Sequence, residues 1–206
     1  MLEINSIGFS YTRKGTAVIN NCSFSLKTAG RCLIVGSNGS GKSTLMDIMT
    51  GFKQPPKGNV IINGIDVYKK TKSFSAVSKL ISYMPASLRF PNTIGVSSIL
   101  ELYAGPYFAQ ELCSDLGLDK FLDKKYSELS DGYRTRLALN ICLSRGAYIF
   151  LDEPLKSQDE ELKELFPQLL KKYTAGRTVV ISSPHVLVGV EWDSVYKLHN
   201  GSVKKC

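Results

Sequence analysis

Between Gly36 and Thr44 the chain reads GSNGSGKST. Glycines, one lysine and a hydroxyl pair at this spacing suit one kind of chemistry, the holding of a phosphate chain. Residues Gly36 to Ser43 fit the pattern G-x-x-x-x-G-K-S/T. The glycines let backbone N–H groups turn inward, and a helix beginning near Lys42 would aim its unpaired N–H groups at the same point. This assigns Gly36, Ser37, Asn38, Gly39, Ser40, Gly41, Lys42, Ser43 and Thr44 to binding. Lys42 has the reach for terminal phosphates, and the Ser43 hydroxyl suits Mg²⁺. A magnesium ion also wants a carboxylate. The run YIFLDEP supplies two acids where an apolar segment ends: Asp152 for the metal and Glu153 to polarise an attacking water. The plainer readings are a glycine-rich turn with a surface lysine, and an acidic cluster with Glu160 and Glu161 at a helix start. The agreement of the flanking segments weighs against both.

Those residues must be positioned by strands ahead of them. RCLIVG is a continuous apolar run of strand length that stops at Gly36, which predicts a strand covered on both faces. KSTLMDIMTGF places Leu45, Ile48, Met49 and Phe52 at helical spacing, with Gly51 as a stop. AYIFLDEP and RTVVIS predict two more buried strands, and LISYMPA a short one ended by Pro85. MLEINSIGFSY and CSFSLKTAG alternate, as half-buried antiparallel strands do. A strand with a tight turn is expected at Asn63-Gly64, and a hairpin at Asn200-Gly201. Residues 87–130 carry helical patches and few β-branched runs, so they read as a helical subdomain inserted into an α/β core of residues 1–86 and 131–206. A helix follows from near Ser130, a favoured N-cap. The stripe of Leu162, Leu165, Phe166, Leu169, Leu170 and Tyr173 predicts an amphipathic helix that packs on the core.

Composition narrows the setting. The 206 residues suit one domain with a subdomain. Lys and Arg exceed Asp and Glu, 26 to 18, which favours anionic partners or simple solubility. Five scattered cysteines without a CxxC exclude a disulfide framework and a zinc finger, and fit reduced thiols in a cytosolic protein. The opening Met-Leu-Glu-Ile-Asn predicts no secretory leader. No apolar run approaches the ~18 residues that span a bilayer, so any membrane-spanning part is expected on other chains.

A second motif, LSDGYRTRL from Leu129, stands shortly before YIFLDEP. With both in view the chain resembles the ATP-binding cassette (ABC) ATPase family over essentially its whole length. GSNGSGKST resembles that family's Walker A motif, YIFLDEP its Walker B motif with the catalytic glutamate, LSDGYRTRL its LSGGQ signature, and Ser157 to Asp159 its D-loop. The resemblance implies a P-loop NTPase (RecA-like) core with an N-terminal antiparallel β-subdomain and a small inserted α-helical subdomain ending in the signature. It implies ATP and Mg²⁺ as ligands and two cassettes closing head to tail. Each ATP would lie between the Walker motifs of one cassette and the signature of the other, which brings in Ser130 and Gly132. It also implies an aromatic ring on the adenine; Tyr11 matches that position and Phe9 is the alternative, the plainer reading being a strand aromatic that faces the core.

Three departures bear on the chemistry. Asp131 replaces the first signature glycine. A carboxylate there should repel phosphate and crowd the helix start, since unit charges ~4 Å apart interact by ~4 kcal/mol at an effective dielectric near ~20. Ala86 stands where a glutamine should follow the strand LISYMP. His185 follows VVIS about one residue later than the family's switch histidine, while His199 on the terminal hairpin has no chemical role. The expected function is the ATP-hydrolysing subunit of an ABC transporter, with a second cassette, identical or not, and an integral membrane permease as partners. It would sit in the cytoplasm against the inner face of the membrane, and no nucleic-acid partner is expected. The alternatives are a soluble cassette in assembly or regulation and a nucleic-acid-linked cassette. Substrate and direction of transport stay open. Asp131 further suggests a heterodimer in which the intact Walker half meets a normal signature.

Overall fold

Two sheets and the helices around them carry the chain in a computed structural model that describes residues 1–12, 15–69, 71–104, 110–156 and 159–206. The first sheet is antiparallel. Strands β1 (Leu2–Phe9) and β2 (Ile19–Leu26) pair side by side, and β4 (Lys57–Ile62) and β5 (Ile65–Asp66) continue from β1 in the order β2-β1-β4-β5. Alternation does its expected work here: Leu2, Ile4, Ile7, Cys22, Phe24 and Leu26 turn inward. Their neighbours face water. A bulge interrupts β1, where Ser6 takes a φ of 50° and the register shifts between Ile4 and Ile7. The β4–β5 turn has Asn63 and Gly64 at φ 53° and 77°, the left-handed pair that a two-residue hairpin demands.

The second sheet has six strands in the order β10-β9-β3-β8-β7-β6. They are β3 (Arg31–Val35), β6 (Ile81–Met84), β7 (Tyr148–Asp152), β8 (Thr178–Ser183), β9 (Ser194–His199) and β10 (Ser202–Lys205). All pairings are parallel except that of β9 with β10, the hairpin at Asn200-Gly201. Every residue of β7 and of β8 is buried, which is what their unbroken apolar runs predict for strands covered on both faces.

Helices cover those faces. On one side α1 (Lys42–Met49) packs between the two sheets, and Leu45, Ile48, Phe150 and Val180 share a core with Leu2 and Ile4. On the other side lie α3 (Val96–Ala104), α4 (Gln110–Asp115), α5 (Asp131–Leu143) and α6 (Glu160–Tyr173). Ile99, Leu112, Leu137, Phe166 and Ile181 belong to one continuous cluster there. The helical segment is thus seated on the main sheet through α5. Helix α2 (Thr71–Ser78) has no counterpart among the elements expected from the sequence. Its TKSFSAVS run is short and has no cap signal that stands out. The order of strands sets where chemistry can gather: β3, β7 and β8 end together, so their carboxyl ends share one edge.

Candidate active site

The loop from Gly36 to Gly41 leaves β3 at that edge and enters α1 at Lys42. Gly41 is the helix N-cap with φ 100°, and a Cβ built on it would stand 3.1 Å from atoms of Val18 and Ile19. Only glycine enters the turn so cheaply. The cap brings no side-chain acceptor, and the first turn of α1 has no acidic residue. Among the described residues the helix start therefore keeps its N–H groups and positive end unclaimed by a side-chain cap. Ser40 Oγ is buried without a hydrogen-bond partner among the described residues. Lys42, 3 % exposed, folds back to donate from Nζ to the carbonyls of Gly36 at 2.8 Å and Ser37 at 3.1 Å. The same ammonium meets Glu153 Oε1 at 3.1 Å. A buried cation, an orphaned hydroxyl and a free helix start converge on one cradle, and a multiply charged anion fits all three.

The two acids come from the end of β7. Asp152 is 1 % exposed and accepts a hydrogen bond from Ser182 Oγ at Oδ1. Glu153 has a left-handed backbone, φ 50°, pinned by its N–H to Ser182 O at 3.1 Å and Ser182 Oγ at 3.2 Å. That conformation is uncommon outside glycine and turns the glutamate side chain back towards Lys42. Ser43 is exposed in the first turn of α1. His185 follows β8 and lines a cleft with Gly36, Ser37 and Asn38, and another with Glu153. The one-residue delay in sequence thus leaves it beside the loop. Its backbone N–H is held by Ser183 Oγ at 3.3 Å. His199 lines the first of these clefts as well.

Tyr11 lies outside any strand, 63 % exposed, with its hydroxyl 2.8 Å from Thr44 Oγ1. Phe9 meets the ring edge-on at 5.2 Å. Sequence reasoning missed the groups around it: Lys53 stands 4.6 Å from the ring centroid, 3.3 Å from the Tyr11 hydroxyl and 3.5 Å from Asp47 Oδ2. Tyr83 of β6 donates to Asp47 Oδ1 at 3.0 Å. No periodicity links positions 11, 47, 53 and 83, so only the fold reveals the set.

The signature stretch forms a separate surface. Ser130 caps α5 by accepting from the Tyr133 N–H at 3.4 Å, as its residue type predicts. Asp131 does not crowd the helix start. Its carboxylate, 85 % exposed, swings out to Arg134 Nη1 at 3.2 Å. A Cβ on Gly132 would come within 2.9 Å of Asp159 Oδ2. Arg136, nearly buried, grips Asp159 through two bonds of 2.8 Å, Glu161 at 2.7 Å and the carbonyl of Leu116 at 3.3 Å. The Arg136 guanidinium holds the Asp159 carboxyl below the usual carboxylate range, against the opposing pull of burial. Ser130, Gly132, Lys156 and Asp159 line a cleft different from those beside the phosphate loop. Of the D-loop stretch only Asp159 is within the described residues; Ser157 and Gln158 lie outside them. Ala86 puts a methyl group where the resemblance calls for an amide, in a cleft shared with Asp131, Arg134 and Glu153.

The sequence profile of the ABC transporter family matches residues 19–156, two thirds of the chain. The chain belongs to the ABC transporter family. A putative ABC transporter ATP-binding protein of Pyrococcus abyssi is 31 % identical, over 99 % of this chain and 82 % of its own length. The cytochrome c biogenesis ATP-binding export protein CcmA of Wolbachia pipientis is also 31 % identical, over 90 % of this cassette and 89 % of its own length. Among solved structures, a dimeric ATP-binding cassette in a post-hydrolysis state with ADP and Pi superposes with a TM-score of 0.87 at 21 % identity, over 100 % of this chain and 98 % of that one. This likeness bears on the fold. As an ABC cassette the chain is an ATP-binding hydrolase, and the α/β P-loop fold expected of it is the fold it has.

Proposed function

We propose that this cassette is the ATP-hydrolysing subunit of a transporter whose membrane-spanning part is a separate chain. One observation carries the catalytic reading: Lys42 Nζ sits inside the phosphate loop, held among the described residues by two loop carbonyls and Glu153. An incoming triphosphate offers this ammonium stronger, charged acceptors and offers Ser40 Oγ a partner. Gly36 to Thr44 would wrap the phosphates. Release of Lys42 frees Glu153 to accept a proton from the attacking water, and His185 would donate to the terminal phosphate. Tyr11 would stack on the adenine. Ser43 and Asp152 have the oxygen donors that Mg²⁺ requires, the Asp152 Oδ2 being left open by Ser182, and the ion would neutralise phosphate charge.

The ligand's other half would come from a second cassette, through Ser130 and Gly132 of the signature. The Asp131–Arg134 pair supports a signature that is neutralised locally, so a phosphate would meet little net repulsion there. Attachment to a membrane partner is supported by the relatives' names. Core and helical subdomain would divide at residues 86–87 and 130–131. The test is gentle detergent extraction of tagged chain from its native membranes. Recovery of a multi-span protein in fixed ratio is the expected result. Recovery of the cassette alone, active and free of membrane, would favour the second reading, an ATPase of assembly or regulation, to which Ala86 already points.

A further inference from the structure

Tyr11 presents a problem of order. It lies between β1 and β2, beyond the last paired residue of β1, and among the described residues no sheet hydrogen bond fixes it. A ring 63 % exposed on such a segment would have to be immobilised by each ligand that stacks on it, at a cost in entropy. The structure supplies the restraint from elsewhere. The hydroxyl is pinned to Thr44, one residue beyond Ser43 on α1. Lys53, just past the end of α1, reaches back so that its ammonium stands over the ring at 4.6 Å and donates to the hydroxyl at 3.3 Å. That ammonium is itself held by Asp47 at 3.5 Å, and Asp47 by the hydroxyl of Tyr83 at 3.0 Å. Phe9 packs against the ring with the two planes nearly perpendicular.

We propose that Lys53 is a positioning residue for the nucleotide base. Braced by Asp47 and Tyr83, it holds Tyr11 against α1 beside the phosphate loop while leaving the ring largely exposed to a purine. The inference rests on the reading of Gly36–Thr44 as a triphosphate site and adds to it a residue that touches neither phosphate nor metal. An ammonium that meets the ring by a cation–π contact and its hydroxyl by a hydrogen bond restrains the ring from its hydroxyl end. Only the part of the affinity that comes from the base should depend on it.

That dependence separates Lys53 from a simple phosphate-attracting cation. Calorimetric titration of the purified chain with Mg-ATP and with Mg-tripolyphosphate, which has no base, reads the two contributions. Lys53→Met should weaken ATP about tenfold, the order of one lost base stack, and leave tripolyphosphate within about twofold. Tyr11→Ala should show the same pattern, and the double variant no further loss. Lys53→Arg, which keeps the cation over the ring, should restore most of the ATP affinity. Equal losses for both probes in Lys53→Met would make Lys53 a phosphate contact and overturn the proposal, as would no loss for either. A wild-type chain that binds neither probe overturns the triphosphate reading and this inference with it. A wild-type chain that binds both while Lys53→Met changes nothing overturns the inference alone.

Discussion

Lys42 and Glu153 guard each other. The charged group that meets the Lys42 ammonium among the described residues is the Glu153 carboxylate at 3.1 Å, and the ion pair keeps both partly dry. Two consequences separate binding from chemistry. Glu153→Gln keeps the shape and removes the proton acceptor, so ATP hydrolysis should fall ~100-fold or more, the usual weight of a general base. Nucleotide affinity should hold or rise, since Lys42 no longer has a carboxylate to leave. A steady-state phosphate-release assay beside a binding titration checks both. Hydrolysis unchanged in Glu153→Gln would remove this residue from the chemistry. The residues of the phosphate loop were legible in the sequence because their spacing is local: eight consecutive positions, Gly36 to Ser43, that run from the end of a strand into the first turn of a helix. Lys53, Asp47 and Tyr83 were not, because their meeting depends on how α1 packs on the main sheet, which brings Asp47 to the hydroxyl of Tyr83. The swing of Asp131 to Arg134 was illegible for the same reason, since a rotamer choice is decided by neighbours and not by residue type.

At the scale of elements, Arg136 ties three pieces together: α5, which bears it; Leu116, just past α4; and the N-cap of α6, where Asp159 also accepts from the Leu162 N–H at 2.9 Å. Removing one partner of a buried pair costs ~3–5 kcal/mol because the other charge is left behind. Asp159 and Glu161 keep some access to water, so Arg136→Met should cost about 3 kcal/mol, read by urea unfolding. The pH arm follows from linkage. Asp159 has a lowered value in the folded chain, so its contribution is fully present above the ordinary carboxylate value and is lost as pH falls through the lowered one. Arg136→Met should therefore flatten the acid end of the stability curve and leave neutral pH as its point of largest loss. An acid limb unchanged in slope would contradict the clamp. Most elements were readable from alternation and apolar runs, β7 and β8 above all. Helix α2 was not: an eight-residue helix gains little from intrinsic propensity, and its existence is a tertiary matter.

For the molecule as a whole, burial decides which groups solvent can find. Cys22, Cys32, Cys113 and Cys142 are buried, and burial pushes the first two and Cys142 up to about 12 and Cys113 to about 11. Cys206 alone is exposed. The native chain should take one equivalent of iodoacetamide at neutral pH, and five after unfolding, by intact mass; a second native label would mean that a core opens. The order of the strands gives this packing its use. Because β3, β7 and β8 end at one edge, loop, acids and His185 converge there although they are far apart in sequence.

The central claim is that this edge is a cradle for a triphosphate, and the most direct measurement is a crystal structure of the chain with a bound Mg-nucleotide. The account predicts phosphate oxygens within hydrogen-bond reach of Lys42 Nζ and Ser40 Oγ, with the carbonyls of Gly36 and Ser37 and the carboxylate of Glu153 released. Nucleotide bound elsewhere, or Lys42 still seated on those two carbonyls with phosphate present, would contradict it.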